Sequence, residues 1–94
     1  MSARIFAFEE CAAPAASLAA QLGVDCHPVA VRRFPDGESL VRVPSAASTA
    51  LLYRSLDDPN AKLVELILAA AALRDLGATR VVLVAPYLAY MRQD

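Results

Sequence analysis

Two short segments of this 94-residue chain gather side chains that could hold a ligand. The first is Arg33-Phe34-Pro35-Asp36-Gly37-Glu38. Pro-Asp-Gly is a turn signal with a mechanism: Pro presets φ, Asp bonds its own backbone and Gly accepts positive φ. Val29 and Val31 alternate with small or charged residues before it, and Leu40, Val41 and Val43 surround Arg42 after it. The segment therefore reads as the tip of a β-hairpin. Such a hairpin presents one aromatic face and two carboxylates, able to stack a planar base and to accept hydrogen bonds from an exocyclic amine or ribose hydroxyls. The second segment is Pro86-Tyr87-Leu88-Ala89-Tyr90-Met91-Arg92-Gln93-Asp94. It follows an apolar strand, and ligands of open α/β sheets bind outside the carboxyl ends of strands, so Arg92 and Gln93 are placed to meet an anion. Taken singly, each pattern is common: most Pro-Asp-Gly turns are only turns, and an Arg-Gln-Asp tail is often only solvated.

The elements that must position these groups follow from the pattern of the chain. Arg4 to Phe8 is a short, mostly apolar strand. Pro14 to Leu22 is a helix, with Leu18 and Leu22 on one face and Gly23 as its stop. His27 to Arg33 and Ser39 to Val43 are the hairpin strands, and Thr49 to Arg54 is a further strand. Asp57-Asp58-Pro59-Asn60 announces a second helix, with Asp58 or Asn60 as cap, running to about Leu76 before Gly77. Its apolar residues wrap most of the circumference, which predicts burial on more than one side. Arg80 to Ala85 is a continuous apolar strand of the kind covered on both faces in parallel sheets. Thr49 to Ala85 thus forms a βαβ unit, and the whole reads as an α/β domain: a mostly parallel sheet flanked by helices, with a projecting hairpin.

Composition narrows the partners. Apolar residues make up 57% of the chain, enough for a core, although 20 of them are Ala. A domain this short buries only roughly 60% of its unfolded surface, so support from another domain or subunit is expected. Nine basic against ten acidic residues leave a net charge of -1 and no basic stripe, which argues against nucleic acid. Eight of the nine basic residues are Arg, suited to planar contacts with phosphate or carboxylate. No secretory signal or apolar run of membrane-spanning length is visible. Cys11 and Cys26 lie fifteen apart without a companion His cluster, which points to free thiols in a reducing cytoplasm rather than a metal site. His27, beside a Pro in a strand, and Tyr53, Tyr87 and Tyr90 read as packing residues, and Arg74 and Asp75 as a solvated face.

Taken together and in order, these motifs resemble the amino-terminal domain of ribose-phosphate pyrophosphokinase. Arg33 to Glu38 matches that family's R-F-P-D-G-E, and Pro59-Asn60 with Leu63, Glu65 and Leu66 matches its helix opening. Pro86 to Asp94 matches its P-Y-x-x-Y-x-R-Q-D, so the likeness spans essentially the whole chain. The resemblance implies a phosphoribosyltransferase-like domain over residues 1–94, followed in the complete protein by a carboxyl-terminal catalytic domain absent from this chain. It implies transfer of the diphosphoryl group of ATP, with Mg²⁺, to ribose 5-phosphate, in a cytoplasmic homo-oligomer whose nucleotide site is shared between subunits. By the same likeness Phe34 stacks on adenine, Asp36 and Glu38 contact the nucleoside, and Arg92 and Gln93 belong to the ATP-binding segment of a mobile loop. No catalytic residue and no metal ligand falls within the 94 positions, so the chain alone is expected to be inactive. Leu88-Ala89 and Met91 depart from the commoner Phe-Gly and Ala, and Pro44 to Thr49 replaces the V-R-G-x-D stretch of phosphate-activated members. A non-catalytic synthetase-associated subunit of the same fold is the alternative, and a stand-alone nucleotide-binding module a third.

Overall fold

Alternation along the first strand decides how the layers are arranged. The computed structural model describes residues 2–36, 39–45, 47–57 and 59–86. In β1 (Ala3–Phe8), Ile5 and Ala7 face one side and Phe6 and Phe8 the other, and all four are buried. A strand apolar on both faces has to sit in the middle of the sheet, and β1 does. With β2 (Asp25–Arg33), β3 (Ser39–Arg42), β4 (Thr49–Tyr53) and β5 (Arg80–Val84), the order is β3-β2-β1-β4-β5. All neighbours are parallel except β2 and β3, which form the antiparallel hairpin, with Arg33 opposite Ser39 at its outer end.

A helix covers each face. One cluster joins Phe6, Phe8, Val29, Ala50 and Leu52 of the sheet to Leu66, Ala69 and Leu73 of α2 (Pro59–Asp75). The other joins Ile5, Ala7 and Tyr53 to Ala15 and Ala19 of α1 (Ala12–Leu22) and to Cys11 in the single 3-10 turn before it. Alanine on α1 lets the helix lie close to the strands, so the small side chains that supply little burial energy individually do so in a tight layer. Both helices stop at glycine. Gly23 adopts φ 70° and Gly77 φ 111°, and the Val24 and Ala78 amides reach back to Ala19 and Leu73 at 3.1 and 3.0 Å.

Most sequence expectations hold to within two residues at each boundary, and two are corrected. The second helix is not buried on more than one side within this chain. Glu65, Leu66, Ala69 and Leu73 face the sheet, while Val64, Ile67 and Leu68 lie exposed, Ile67 to 68%. A 3.6-residue period gives a helix against a single sheet only one covered face, whatever its composition. Likewise β5 is not covered on both faces: among the described residues it is an edge strand, and its Leu83 is 45% exposed. Asp58, one of the expected caps, lies outside the described residues. The hairpin projects only at its tip, since β3 curls back to touch α2, with Val41 and Val43 packed on the α2 cluster.

Candidate functional site

The strand order creates a crevice at the carboxyl edge of the sheet. β1 connects through α1 to β2 on one side, and β4 connects through α2 to β5 on the other, so the chain diverges between β1 and β4. Ligands of open α/β sheets bind at such a switch point. Here β1 runs into Glu9 and Glu10, and β4 runs into Arg54. The Arg54 guanidinium is 3% exposed and lies over the Phe8 ring, 3.9 Å from its centre. Its Nε and Nη2 donate to Glu10 at 3.0 and 3.3 Å, and its Nη1 donates to Glu65 Oε1 at 2.8 Å.

Glu65 is the centre of the arrangement. It is 1% exposed on the covered face of α2 and also accepts two bonds from Arg33 at the end of β2, Nε at 2.9 Å and Nη2 at 3.1 Å. Burial opposes its ionisation, but the hydrogen bonds and charges of Arg33 and Arg54 outweigh that and hold the carboxyl below its usual range. Two carboxylates and two guanidiniums thus balance to zero, with Glu65 and Arg54 buried and Glu10 and Arg33 reaching solvent. Beside them, Lys62 Nζ donates to Asp57 at 2.9 Å and to the Ser55 carbonyl at 3.2 Å, pinning the loop from β4 into α2. That bond, with a second from Ser55, holds the Asp57 carboxyl below its usual value. A cavity of about 520 Å³ opens next to this network, lined by Glu9, Glu10, Val29, Val31, Arg33 and Arg54.

Among the sequence-derived candidates, Phe34 and Asp36 lie exposed at the hairpin tip, Phe34 to 38%, and neither lines that cavity. The Arg32 guanidinium lies over the Phe34 ring, 5.3 Å from its centre. An aromatic ring has two faces, and a cation on one leaves the other to stack on a base. Glu38, Arg92 and Gln93 lie outside the described residues, as do Tyr87 and Tyr90. Tyr53 is buried in the α1 cluster, and the His27 ring stacks on Phe6 at 5.8 Å, as packing residues do. Cys11 and Cys26 are free thiols, and burial pushes Cys26 above its ordinary value. Magnesium, which the resemblance implies, finds no group of three His, Cys, Asp or Glu side chains among the described residues. No described helix is long and apolar enough to cross a membrane.

The sequence reading missed Glu10, Arg54 and the role of Glu65. The signal was there: Glu65 is the sole charge in an apolar helical run from Leu63 to Ala72, and Arg54 ends an apolar strand. Charged residues in such positions are almost never buried without partners.

Comparison with known proteins agrees with this architecture. Residues 3–94 match the family model described as the N-terminal domain of ribose phosphate pyrophosphokinase. Ribose-phosphate pyrophosphokinases of Saccharolobus solfataricus and Halobacterium salinarum are 46% and 43% identical over 81 and 82 residues, covering 83% and 85% of this chain. That of Methanopyrus kandleri is 42% identical over 79 residues, or 82% of the chain. The matched regions are 28%, 29% and 27% of those relatives' lengths. In fold, a purine phosphoribosyltransferase from Pyrococcus horikoshii superposes with a TM-score of 0.68 at 15% identity, over 92% of this chain and 63% of that one. The parallel sheet with its antiparallel hairpin is therefore of phosphoribosyltransferase type, and the chain belongs to the family of ribose phosphate pyrophosphokinase N-terminal domains.

Proposed function

We propose that this chain is the nucleotide-binding and subunit-contacting domain of a cytoplasmic ribose-phosphate diphosphokinase, which transfers the diphosphoryl group of ATP to ribose 5-phosphate. The observation that carries the reading is Phe34: a large aromatic residue exposed on a turn, directly after a strand, within the family's own motif. A ring that contributes nothing to its own core is free to stack on adenine, while Asp36 and Glu38 offer acceptors to the nucleoside. Since Phe34 does not line the chain's own carboxyl-edge cavity, the finger is read as completing the nucleotide site of a second copy. The open apolar face of α2, with Val64, Ile67 and Leu68, suits a protein contact of that kind.

Arg92 and Gln93 are assigned to the phosphate end of ATP, where a guanidinium can spread its donors over several oxygens. Phosphoryl transfer depends mainly on positioning and charge neutralisation, so the part played by these residues is to hold the donor in line and dry. Magnesium is implied by the family resemblance alone. The 94 residues by themselves are expected to be inactive.

The test is an assay of the complete polypeptide with ATP and ribose 5-phosphate. Formation of AMP and phosphoribosyl pyrophosphate supports the reading. Absence of both, in a folded protein, leaves the non-catalytic associated subunit as the better description.

A further inference from the structure

Arg33 and Phe34 are consecutive, yet one is tied to the interior and the other stands on the exposed tip. Arg33 closes the β2–β3 ladder opposite Ser39, and Phe34, Pro35 and Asp36 follow it outside the strand. Its side chain is 62% exposed, but its guanidinium meets the Glu65 carboxylate through two parallel bonds. A forked pair of that kind fixes the plane of the guanidinium as well as its distance. Glu65 is itself immobile, buried on α2 and bonded to Arg54, whose opposite edge holds Glu10. A continuous line of charge-assisted bonds therefore runs from the root of the hairpin tip to the crevice between β1 and β4.

We propose that Arg33 is a positioning residue, which sets the direction in which the hairpin presents Phe34 and ties that direction to the carboxyl edge of the sheet. β3 pairs with β2 alone, and a two-stranded ribbon at a sheet edge twists more readily than any interior pair. An anchor on Arg33 restrains the ring directly, because Arg33 and Phe34 share a planar peptide bond. Arg32, on the opposite face of β2, restrains the ring locally, and Arg33 restrains the end of β2 against α2. This role rests on the reading of Phe34 as the base-stacking group.

The experiment compares Arg33→Gln and Arg33→Lys in the complete polypeptide. Amide hydrogen exchange should quicken at Leu40–Arg42 and Val31–Arg33 in Arg33→Gln while β1 and β4 stay as protected as before. The apparent KM for ATP should rise by about tenfold, with kcat within about twofold, as expected for loss of an orienting bidentate pair. Arg33→Lys, which keeps the charge but not the fork, should fall between Arg33→Gln and the parent in both measures. Unchanged exchange in the hairpin, or faster exchange spread equally over β1 and β4, overturns the proposal. Faster hairpin exchange together with nucleotide affinity indifferent to Phe34→Ala keeps the anchor and removes the stacking role. Affinity sensitive to Phe34→Ala with an undisturbed hairpin does the reverse.

Discussion

The charge network at the sheet edge and the tip of the hairpin are joined by one peptide bond, and they obey opposite rules. In the network, the buried Glu65 and Arg54 satisfy each other, with the solvent-facing Glu10 on the outer edge of the central guanidinium and Phe8 beneath it. At the tip, Phe34 stays exposed with a single cation over its ring. The network is richer in reactive-looking groups, but its hydrogen-bonding capacity is largely turned inward. A cluster of charged residues at a switch point is thus as apt to brace a fold as to bind a ligand, and exposure of an otherwise core-like side chain is the better guide to recognition.

The largest effect expected from separating the two regions is at Arg54. Arg54→Met removes the partner that Glu65 and Glu10 share, but Glu65 keeps its Arg33 fork and Glu10 reaches solvent, so the cost should be about 1.5–3 kcal/mol, as for hydrogen bonds to charged groups. Since native domains have only about 5–15 kcal/mol in total, chemical denaturation of this 94-residue chain should show a clearly lowered midpoint. Next comes the acid side of the stability profile. Because the folded Glu65 carboxyl titrates below its unfolded value, its contribution is complete above about pH 4.3 and is lost as pH falls through the depressed folded value. Asp57, also depressed, adds a smaller loss in the same direction from its exposed position. Melting temperature against pH should therefore drop steeply below that range, and Glu65→Gln should flatten the drop while lowering stability at neutral pH.

A smaller effect is expected at Gly77, whose φ of 111° disfavours any side chain although a Cβ there meets open space. Gly77→Ala should cost about 1–2 kcal/mol by strain alone, visible as a lower midpoint in urea. The smallest effect on folding is predicted at the tip. Phe34→Ala should change stability by no more than about 0.5 kcal/mol, like other surface substitutions. In the complete polypeptide the same change should weaken ATP binding, since stacking on a base is worth about 1–3 kcal/mol in nucleic-acid systems. A loss of stability at Phe34 as large as the loss of nucleotide affinity would erase the distinction between the two regions.

Local chemistry made much of the fold readable in advance. Strand boundaries followed apolar runs and alternation, the hairpin followed Pro35-Asp36-Gly37, and both helices ended at the glycines where left-handed backbone was needed. Those features depend on neighbours in the chain, so sequence determines them. Phe34 and Asp36 were legible as tip residues for the same reason. What sequence did not determine was which charges would meet. Glu10, Arg33, Arg54 and Glu65 come from four separate stretches of the chain, and although the apolar settings of Glu65 and Arg54 call for partners, nothing local names them. Their union depends on strand order and on which face of the sheet α2 covers, both decided by long-range packing. Tertiary structure likewise decided that, among the described residues, one apolar face of α2 is left open and β5 ends the sheet, because burial is set by how many layers surround an element and not by how apolar that element is.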